Sequence, residues 1–199
     1  KISQDPGEAN WLAAESMDVR LTGQVVAAPR WQNPSIELVT VRALYNLEEI
    51  AFLIEWDDPF KDELHQSGIE FDPQEISRMG AFNSYVAAND VVPRQLETFR
   101  DAIALQFPVK LPEGTKKPHF FRGDSSNPVH LWHWRSDGAE NAGQAVQESN
   151  ARGWKQPAKV QPGEQQQVDT VASWNQGRWS VIMRRPLLTD DRNDIQFVK

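Results

Sequence analysis

The chain lacks several features that whole classes of function require. It contains no cysteine, which excludes disulfides, thiolate zinc sites, iron–sulfur ligation and covalently attached c-type haem within its 199 residues. It has no run of 18 apolar residues, so the sequence predicts no membrane span. No dense Lys/Arg cluster occurs along a chain of net charge −7, and nucleic acid is therefore not an expected partner.

The common catalytic motifs are also missing from the sequence. No serine lies in a G-x-S-x-G context, and the four histidines form neither H-x-x-x-H nor H-E-x-x-H. His130 and His133 fall on opposite faces of one predicted strand, so they are not expected to share a metal. We therefore predict no catalytic residues.

The chain is rich in tryptophan and proline, with eight and thirteen residues respectively. Large aromatic residues favour strands, and scattered prolines disfavour long helices. Apolar blocks of strand length occur at residues 16–26, 36–45, 50–56, 101–107, 129–134, 168–174 and 179–184. The sequence therefore predicts a mostly β protein: a single domain over residues 1–199, built as a two-sheet antiparallel β-sandwich with a few short helices in long loops.

Three stretches lie outside these blocks. Residues 1–10 are polar and predict an extended arm, and the start at Lys1 instead of Met leads us to expect a processed or trimmed product. Residues 60–100 are predicted to lack strands and to contain short helices at 72–78 and 93–99. Residues 136–167 are predicted to form a surface loop with a short helix near 143–150. Long excursions of this kind often carry function.

Four blocks resemble the haem-b-binding domain of the ethylbenzene dehydrogenase γ-subunit family, which includes the γ subunits of dimethylsulfide dehydrogenase, selenate reductase and chlorate reductase. The matching blocks are VRALYNLEEIAFLIEWDDP, RDAIALQFPV, PHFFRGDSSNPVHLWHW and WNQGRWSVIMRRPL. Together they cover most of residues 36–187. No block is specific alone, but their order and their QFP, NPV-x-LW-x-W and RRPL endings are specific together.

The resemblance implies a periplasmic electron-transfer subunit that binds one noncovalent haem b. Its implied partners are an iron–sulfur β subunit, a molybdenum-containing α subunit and a soluble carrier such as cytochrome c, whose basic face would suit an acidic chain.

The family holds its haem iron by Met and Lys. The lysine candidates in the matching part of the chain are Lys155 and Lys159, and we expect Met79 and Lys155 to be the metal ligands. Trp154 would then supply part of a dry wall that keeps the lysine amine neutral. His130, with Trp132 beside it, is a further cofactor-binding candidate. His130 and Met183 are the alternative ligands if the family ligand falls in the block that here contains Arg122.

Two other interpretations remain open from the sequence. A Trp-rich sandwich is also typical of a carbohydrate-type binding module, and a structural γ subunit without haem would carry the same strands. A Lys in a polar loop is commonly only a solvated charge, and Met79 could simply pack at a helix end.

Overall fold

A computed structural model describes residues 1–25, 32–63, 66–70, 95–98, 100–111, 117–138 and 145–198. Over these ranges the chain forms one short α-helix, α1 (Ala9–Ala13), one 3-10 helix (Gly163–Gln165) and antiparallel strands in three sheets. The strands are β1 (Ser16–Arg20), β2 (Leu38–Tyr45), β3 (Glu49–Asp57), β4 (Gln66–Glu70), β5 (Gln95–Thr98), β6 (Ala102–Pro108), β7 (Val129–Arg135), β8 (Val146–Ala151), β9 (Lys159–Val160), β10 (Asp169–Asn175) and β11 (Arg178–Pro186).

The first sheet has five strands in the order β1-β2-β3-β11-β10. Its two hairpins were both predicted, and the structure confirms them. In the β10–β11 hairpin, Gln176 and Gly177 both have positive φ, at 50° and 80°. A turn with positive φ at both central residues matches the right-handed twist of the paired strands. Glycine adopts positive φ without strain, which explains why Gly177 is the second central residue.

The second sheet has four strands in the order β6-β7-β8-β9. Alternation along β7 points His130, Trp132 and Trp134 to the first sheet, as the sequence predicts, and leaves Val129, Leu131 and His133 on the outer face. The main hydrophobic core lies between the two sheets. It includes Ile54, Trp56, Trp179, Val181 and Met183 from the first sheet and Trp132, Trp134 and Val146 from the second. This arrangement confirms the predicted β-sandwich.

The N-terminal residues pack on the outer face of the first sheet. Trp11 in α1 is fully buried against Ala51, Leu53 and Ile182. The Ile2 carbonyl accepts a hydrogen bond from Arg184 at 2.8 Å. These contacts close the second hydrophobic layer of the first sheet.

The long excursion between β3 and β6 starts and ends at one point. The Asp101 N–H donates to the Asp62 carbonyl, and the Asp62 N–H donates to Asp101 Oδ2, both at 2.9 Å. Ser136 joins them, because its N–H donates to the Asp101 carbonyl and its hydroxyl to the Asp62 carbonyl. We call this set of hydrogen bonds between Asp62, Asp101 and Ser136 the clasp.

Two sequence predictions about the irregular stretches are wrong. Residues 60–100 contain the paired strands β4 and β5, and Gln95–Thr98 is a strand where a helix was predicted. Residues 136–167 contain β8 and β9 in place of an uninterrupted loop, and the helix predicted near 143–150 is the strand Val146–Ala151 from residue 146 onward. The predicted helix at 72–78 lies outside the described residues. The first predicted strand is also shorter, ending at Arg20.

The β8 sequence VQESNA has the polarity of a loop, yet Glu148 faces the core side of the sheet. Glu148 Oε2 accepts hydrogen bonds from the backbone N–H groups of Gln167 and Val168. These bonds supply partners for a charge that a strand interior normally excludes. None of the helices in the described ranges combines the length and apolar character needed to cross a membrane.

Candidate functional site

The predicted ligand Lys155 lies in an exposed turn that follows β8 directly. Gly153, with φ of +113°, lets the chain reverse at this turn, and its N–H donates to the Arg122 carbonyl at 2.7 Å. The Lys155 Nζ lies 6.0 Å from the centre of the Trp154 ring, and that ring is 45% exposed. Lys155 forms no ion pair with any residue that the structure describes, so its amine is available to another ligand.

The turn containing Arg122, whose carbonyl accepts the Gly153 N–H, is hydrogen-bonded to the second sheet. Gln106 Oε1 accepts the Arg122 N–H at 2.9 Å, and Gln106 Nε2 donates to the His119 carbonyl at 3.3 Å. Gly123, at φ +67°, lies so close to Val129 that a Cβ there would come within 2.9 Å of Val129 Cγ1. The Lys155 turn is therefore anchored on the outer side of the second sheet.

An apolar cluster borders this turn on the outer face. It consists of Val129, Leu131 and Ala151, with Ala158 packed against them. His133 continues the same face along β7. Burial lowers the pKa of His133, and the positive charges of Arg135, Arg122 and Arg100 lower it further, which keeps the imidazole neutral.

The other predicted site residues lie elsewhere. Met79 lies outside the described residues. Met183 is fully buried in the core between the sheets, and in the β11–β3 pairing it lies opposite Phe52 of β3. His130 and Trp132 are adjacent and fully buried, with ring centres 6.1 Å apart. They point to the core, whereas Lys155 lies with the outer-face turn. The structure thus brings Lys155 and Trp154 together and keeps His130 and Trp132 as a separate pair.

His130 belongs to a buried ionic cluster that the sequence did not predict. His130 Nε2 lies 3.4 Å from both Glu148 Oε1 and Asp194 Oδ1. Arg185 Nη1 lies 3.4 Å from Asp194 Oδ2 and 3.9 Å from Glu148 Oε1. Its guanidinium also stacks on Trp132 and Phe197, at 5.2 and 5.4 Å. We call His130, Glu148, Arg185 and Asp194 the buried ionic cluster.

The histidine and two carboxylates of this cluster have donor atoms within 4.8 Å of one another, as a metal site would require. The hydrogen bonds argue for a different role. The Ile195 N–H donates to His130 Nδ1 at 3.4 Å, which places the proton of a neutral ring on Nε2, the atom a metal would need. Arg185 already supplies a positive charge to both carboxylates. The cluster therefore reads as an ion-pair network that ties the C-terminal segment to the sandwich.

A cavity of about 430 Å³ opens near the clasp, far along β7 from Lys155. Three tryptophans line it, Trp134, Trp174 and Trp179, together with polar side chains that include Lys61 and Arg135. Trp134 Nε1 is buried and finds no hydrogen-bond partner among the described residues. Beside this cavity, burial raises the pKa of Asp101 to about 6, against the lowering effect of hydrogen bonds from the Asp62 N–H and Trp179 Nε1.

Residues 8–160 match the family model described as ethylbenzene dehydrogenase, which is well over half of the chain. The chain belongs to the ethylbenzene dehydrogenase family. This confirms the membership that the four sequence blocks predicted. The family match ends before β10 and β11, so Arg185 and Asp194 of the buried ionic cluster lie beyond it.

A curated relative extends the likeness over nearly the whole chain. It is a proposed respiratory nitrate reductase heme subunit, ORF7, from Haloferax mediterranei, and it is 26% identical over 194 residues. The alignment covers 98% of this chain and 56% of the relative, so the chain spans little more than half of that protein's length.

The described residues around Lys155 supply part of what a haem needs, a ligand amine and one aromatic contact. A haem needs a ligand atom, an apolar surface and aromatic contacts. Lys155 offers an amine without an ion pair, Trp154 lies beside it, and the Val129–Leu131–Ala151 cluster borders the turn. The fit concerns one ligand, because Met79 lies outside the described residues.

Proposed function

We propose that this chain is an electron-transfer subunit that binds one noncovalent haem b within a periplasmic molybdoenzyme complex. The observation that carries the proposal is the family match over residues 8–160. The relative named as a nitrate reductase heme subunit supports it. In this proposal the chain relays electrons and has no substrate chemistry of its own.

Lys155 and Met79 would hold the iron, and the haem would supply reversible one-electron chemistry. A lysine amine binds a metal only through a free electron pair, so Lys155 must lose a proton from Nζ on binding. Trp154 would favour that neutral amine by covering one side of it from water. His130 and Trp132 stay further predictions for cofactor contact, although their carboxylate and arginine neighbours favour the ionic role described above.

The proposed partners are an iron–sulfur β subunit and a molybdenum-containing α subunit, with a soluble carrier such as cytochrome c at the end of the chain of electron transfer. The α subunit would select the substrate. Support for this assembly comes from the family, because a subunit that only relays electrons through one haem requires a source and a receiver of electrons.

The visible spectrum of the protein loaded with haem b tests the proposal. We expect a sharp Soret band and, after reduction, resolved α and β bands of a low-spin haem with two axial ligands. Lys155→Ala and Met79→Ala should each weaken haem retention and shift the spectrum towards high spin. Lys61→Ala is the matched control, because Lys61 is an exposed lysine at the opposite end of the second sheet. A folded protein that takes up no haem would refute the function, and unchanged spectra in both ligand variants would refute the ligands.

A second candidate function is favoured by one observation. The cavity lined by Trp134, Trp174 and Trp179 combines aromatic walls with polar side chains, as carbohydrate-type sites do. A colourless protein that binds oligosaccharides in a Trp174-dependent manner would support this module. A colourless protein that co-purifies with large partner subunits would instead be a structural γ subunit.

A further inference from the structure

One end of the second sheet carries a concentration of positive charge that the linear sequence hides. Six exposed basic residues come from three separate segments at this end: Lys110, Lys117, Arg122, Arg152, Lys155 and Lys159. The same described segments, 109–111, 117–124 and 151–160, contain a single acidic residue, Asp124. This excess of positive charge occurs in a chain whose net charge is −7. We call this surface the basic end.

Backbone contacts bring the three segments together. The Val109 N–H donates to the Pro128 carbonyl at 3.1 Å, which places Lys110 beside the start of β7. The Gly153–Arg122 hydrogen bond joins the second and third segments. Lys159 pairs with Asn150 in the β8–β9 register, one residue from the end of β8. The charges are therefore neighbours in the fold although they are scattered along the chain.

None of the six basic side chains forms an ion pair within the part of the chain that the structure describes. Asp124 is committed to its own turn, where it accepts hydrogen bonds from Ser126 and Asn127 at 2.9 Å. Several arginines elsewhere in the described chain are paired, as Arg42 is with Glu55 and Arg178 with Asp57. The basic end therefore gathers six basic side chains that have no such partner among the described residues.

Large apolar side chains are exposed among the charges. Phe120 is 75% exposed, Leu111 is 71% exposed, and Trp154 projects from the Lys155 turn. Exposed aromatic residues next to arginine are typical of protein interfaces, where the aromatic ring supplies contact area and the charge supplies selectivity. Solvation alone accounts for the lysines but not for three large apolar residues beside them.

We propose that the basic end docks the acidic face of a soluble one-electron carrier protein. The inference rests on the proposed function, because Lys155, the proposed iron ligand, lies within this surface and would bring the haem close to the docked partner. A haem held by Lys155 would supply the one electron that reduces the one-electron centre of the carrier. The chain's overall charge suggests a carrier with a basic face. The other five basic residues of this surface, which stay positive when Lys155 is a neutral iron ligand, select an acidic one.

The test uses two cytochromes c as probes, one of acidic and one of basic pI. Binding to the haem-loaded chain is measured by titration calorimetry, and electron transfer is measured by stopped-flow absorbance. We expect the acidic cytochrome to bind at least about tenfold more tightly than the basic one, and to lose about tenfold in affinity between low and moderate salt.

Charge reversal locates the surface. Arg152→Glu with Lys159→Glu should weaken binding of the acidic cytochrome by about tenfold or more while leaving the haem spectrum unchanged. The matched control is Lys1→Glu with Arg20→Glu, which changes the net charge equally on the first-sheet side and should leave affinity within about twofold. Equal losses in the two double variants, or tighter binding of the basic cytochrome, would overturn the proposal.

Two further arms separate the alternatives. Protein prepared without haem should still bind the acidic cytochrome. If the protein binds this cytochrome but takes up no haem b when haem is supplied, the surface is upheld and the proposed function is rejected. Binding of duplex DNA or of vesicles containing anionic phospholipid, lost in the same double variant while the acidic cytochrome does not bind, would reject a protein partner.

Discussion

Replacing Arg185 with methionine tests how the C-terminal segment is held. Methionine keeps much of the length and apolar volume of the arginine stem, but removes the positive charge that faces Asp194 and Glu148. It also removes the guanidinium that lies on the Trp132 and Phe197 rings and donates to the Ile195 carbonyl. Both carboxylates are almost fully buried, so neither gains water when its partner is lost.

The expected cost follows from these contacts. Removing one member of a buried ion pair destabilises a protein by about 3–5 kcal/mol, mainly because an uncompensated charge is left inside. Here one positive charge serves two carboxylates, and the ring contacts add about 0.5–2 kcal/mol. We therefore expect Arg185→Met to lower the free energy of unfolding by about 4 kcal/mol, a large part of the roughly 5–15 kcal/mol typical of a domain.

Urea unfolding followed by tryptophan fluorescence measures this free energy. Arg178→Met is the control, because Arg178 is a partly exposed arginine of the same strand whose pair with Asp57 should contribute under about 1 kcal/mol. Adding Asp194→Asn to Arg185→Met should recover part of the loss, since it removes one of the two unpaired charges. A cost for Arg185→Met within about 1 kcal/mol of the control would show that the cluster reasoning is wrong.

Two predictions concern other parts of the fold. The pKa of Asp101 is raised from 3.8 to about 6, so the folded state binds the Asp101 carboxyl proton more tightly than the unfolded state does. The stability that this protonation adds is therefore lost as the pH rises from about 4 to 6. Asp101→Asn keeps an oxygen acceptor for Asp62 and Trp179, so thermal melts should show a flatter pH dependence between about pH 4 and 6; an unchanged slope would exclude Asp101 as the cause. Gly123→Ala should cost about 1–3 kcal/mol because its Cβ would meet Asn127 O at 2.5 Å, whereas Gly163→Ala meets nothing and should be near neutral by the same melts.

The strands with clear apolar alternation were predictable from sequence. Alternation in VHLWHW assigns Trp132 and Trp134 to one face of β7, and the core confirms it. The NQG turn between two apolar runs likewise predicts the last hairpin. In these elements, local propensity and burial favour the same structure, so the pattern is sufficient.

The strand β8 was not predictable in this way, because two of its three inward-facing residues, Glu148 and Asn150, are polar. Glu148 is acceptable there only because residues distant in sequence, Gln167, Val168 and Arg185, provide hydrogen bonds and charge. The buried ionic cluster and the basic end were not predictable for the same reason, because their members come from segments that are distant in sequence and meet only in the fold. The one local signal is Arg185 itself, a charged residue inside the apolar run of β11.

The clasp has a consequence for how this family can diversify. Asp62 and Asp101 fix the two ends of the excursion side by side. The number of residues between them therefore affects the stability of the sandwich mainly through the entropic cost of closing this loop. That entropy grows only logarithmically, by about 0.6 kcal/mol for each doubling of length. Descendants of one ancestral sandwich could therefore lengthen, shorten or exchange this segment, and with it the proposed ligand Met79, while inheriting the same scaffold.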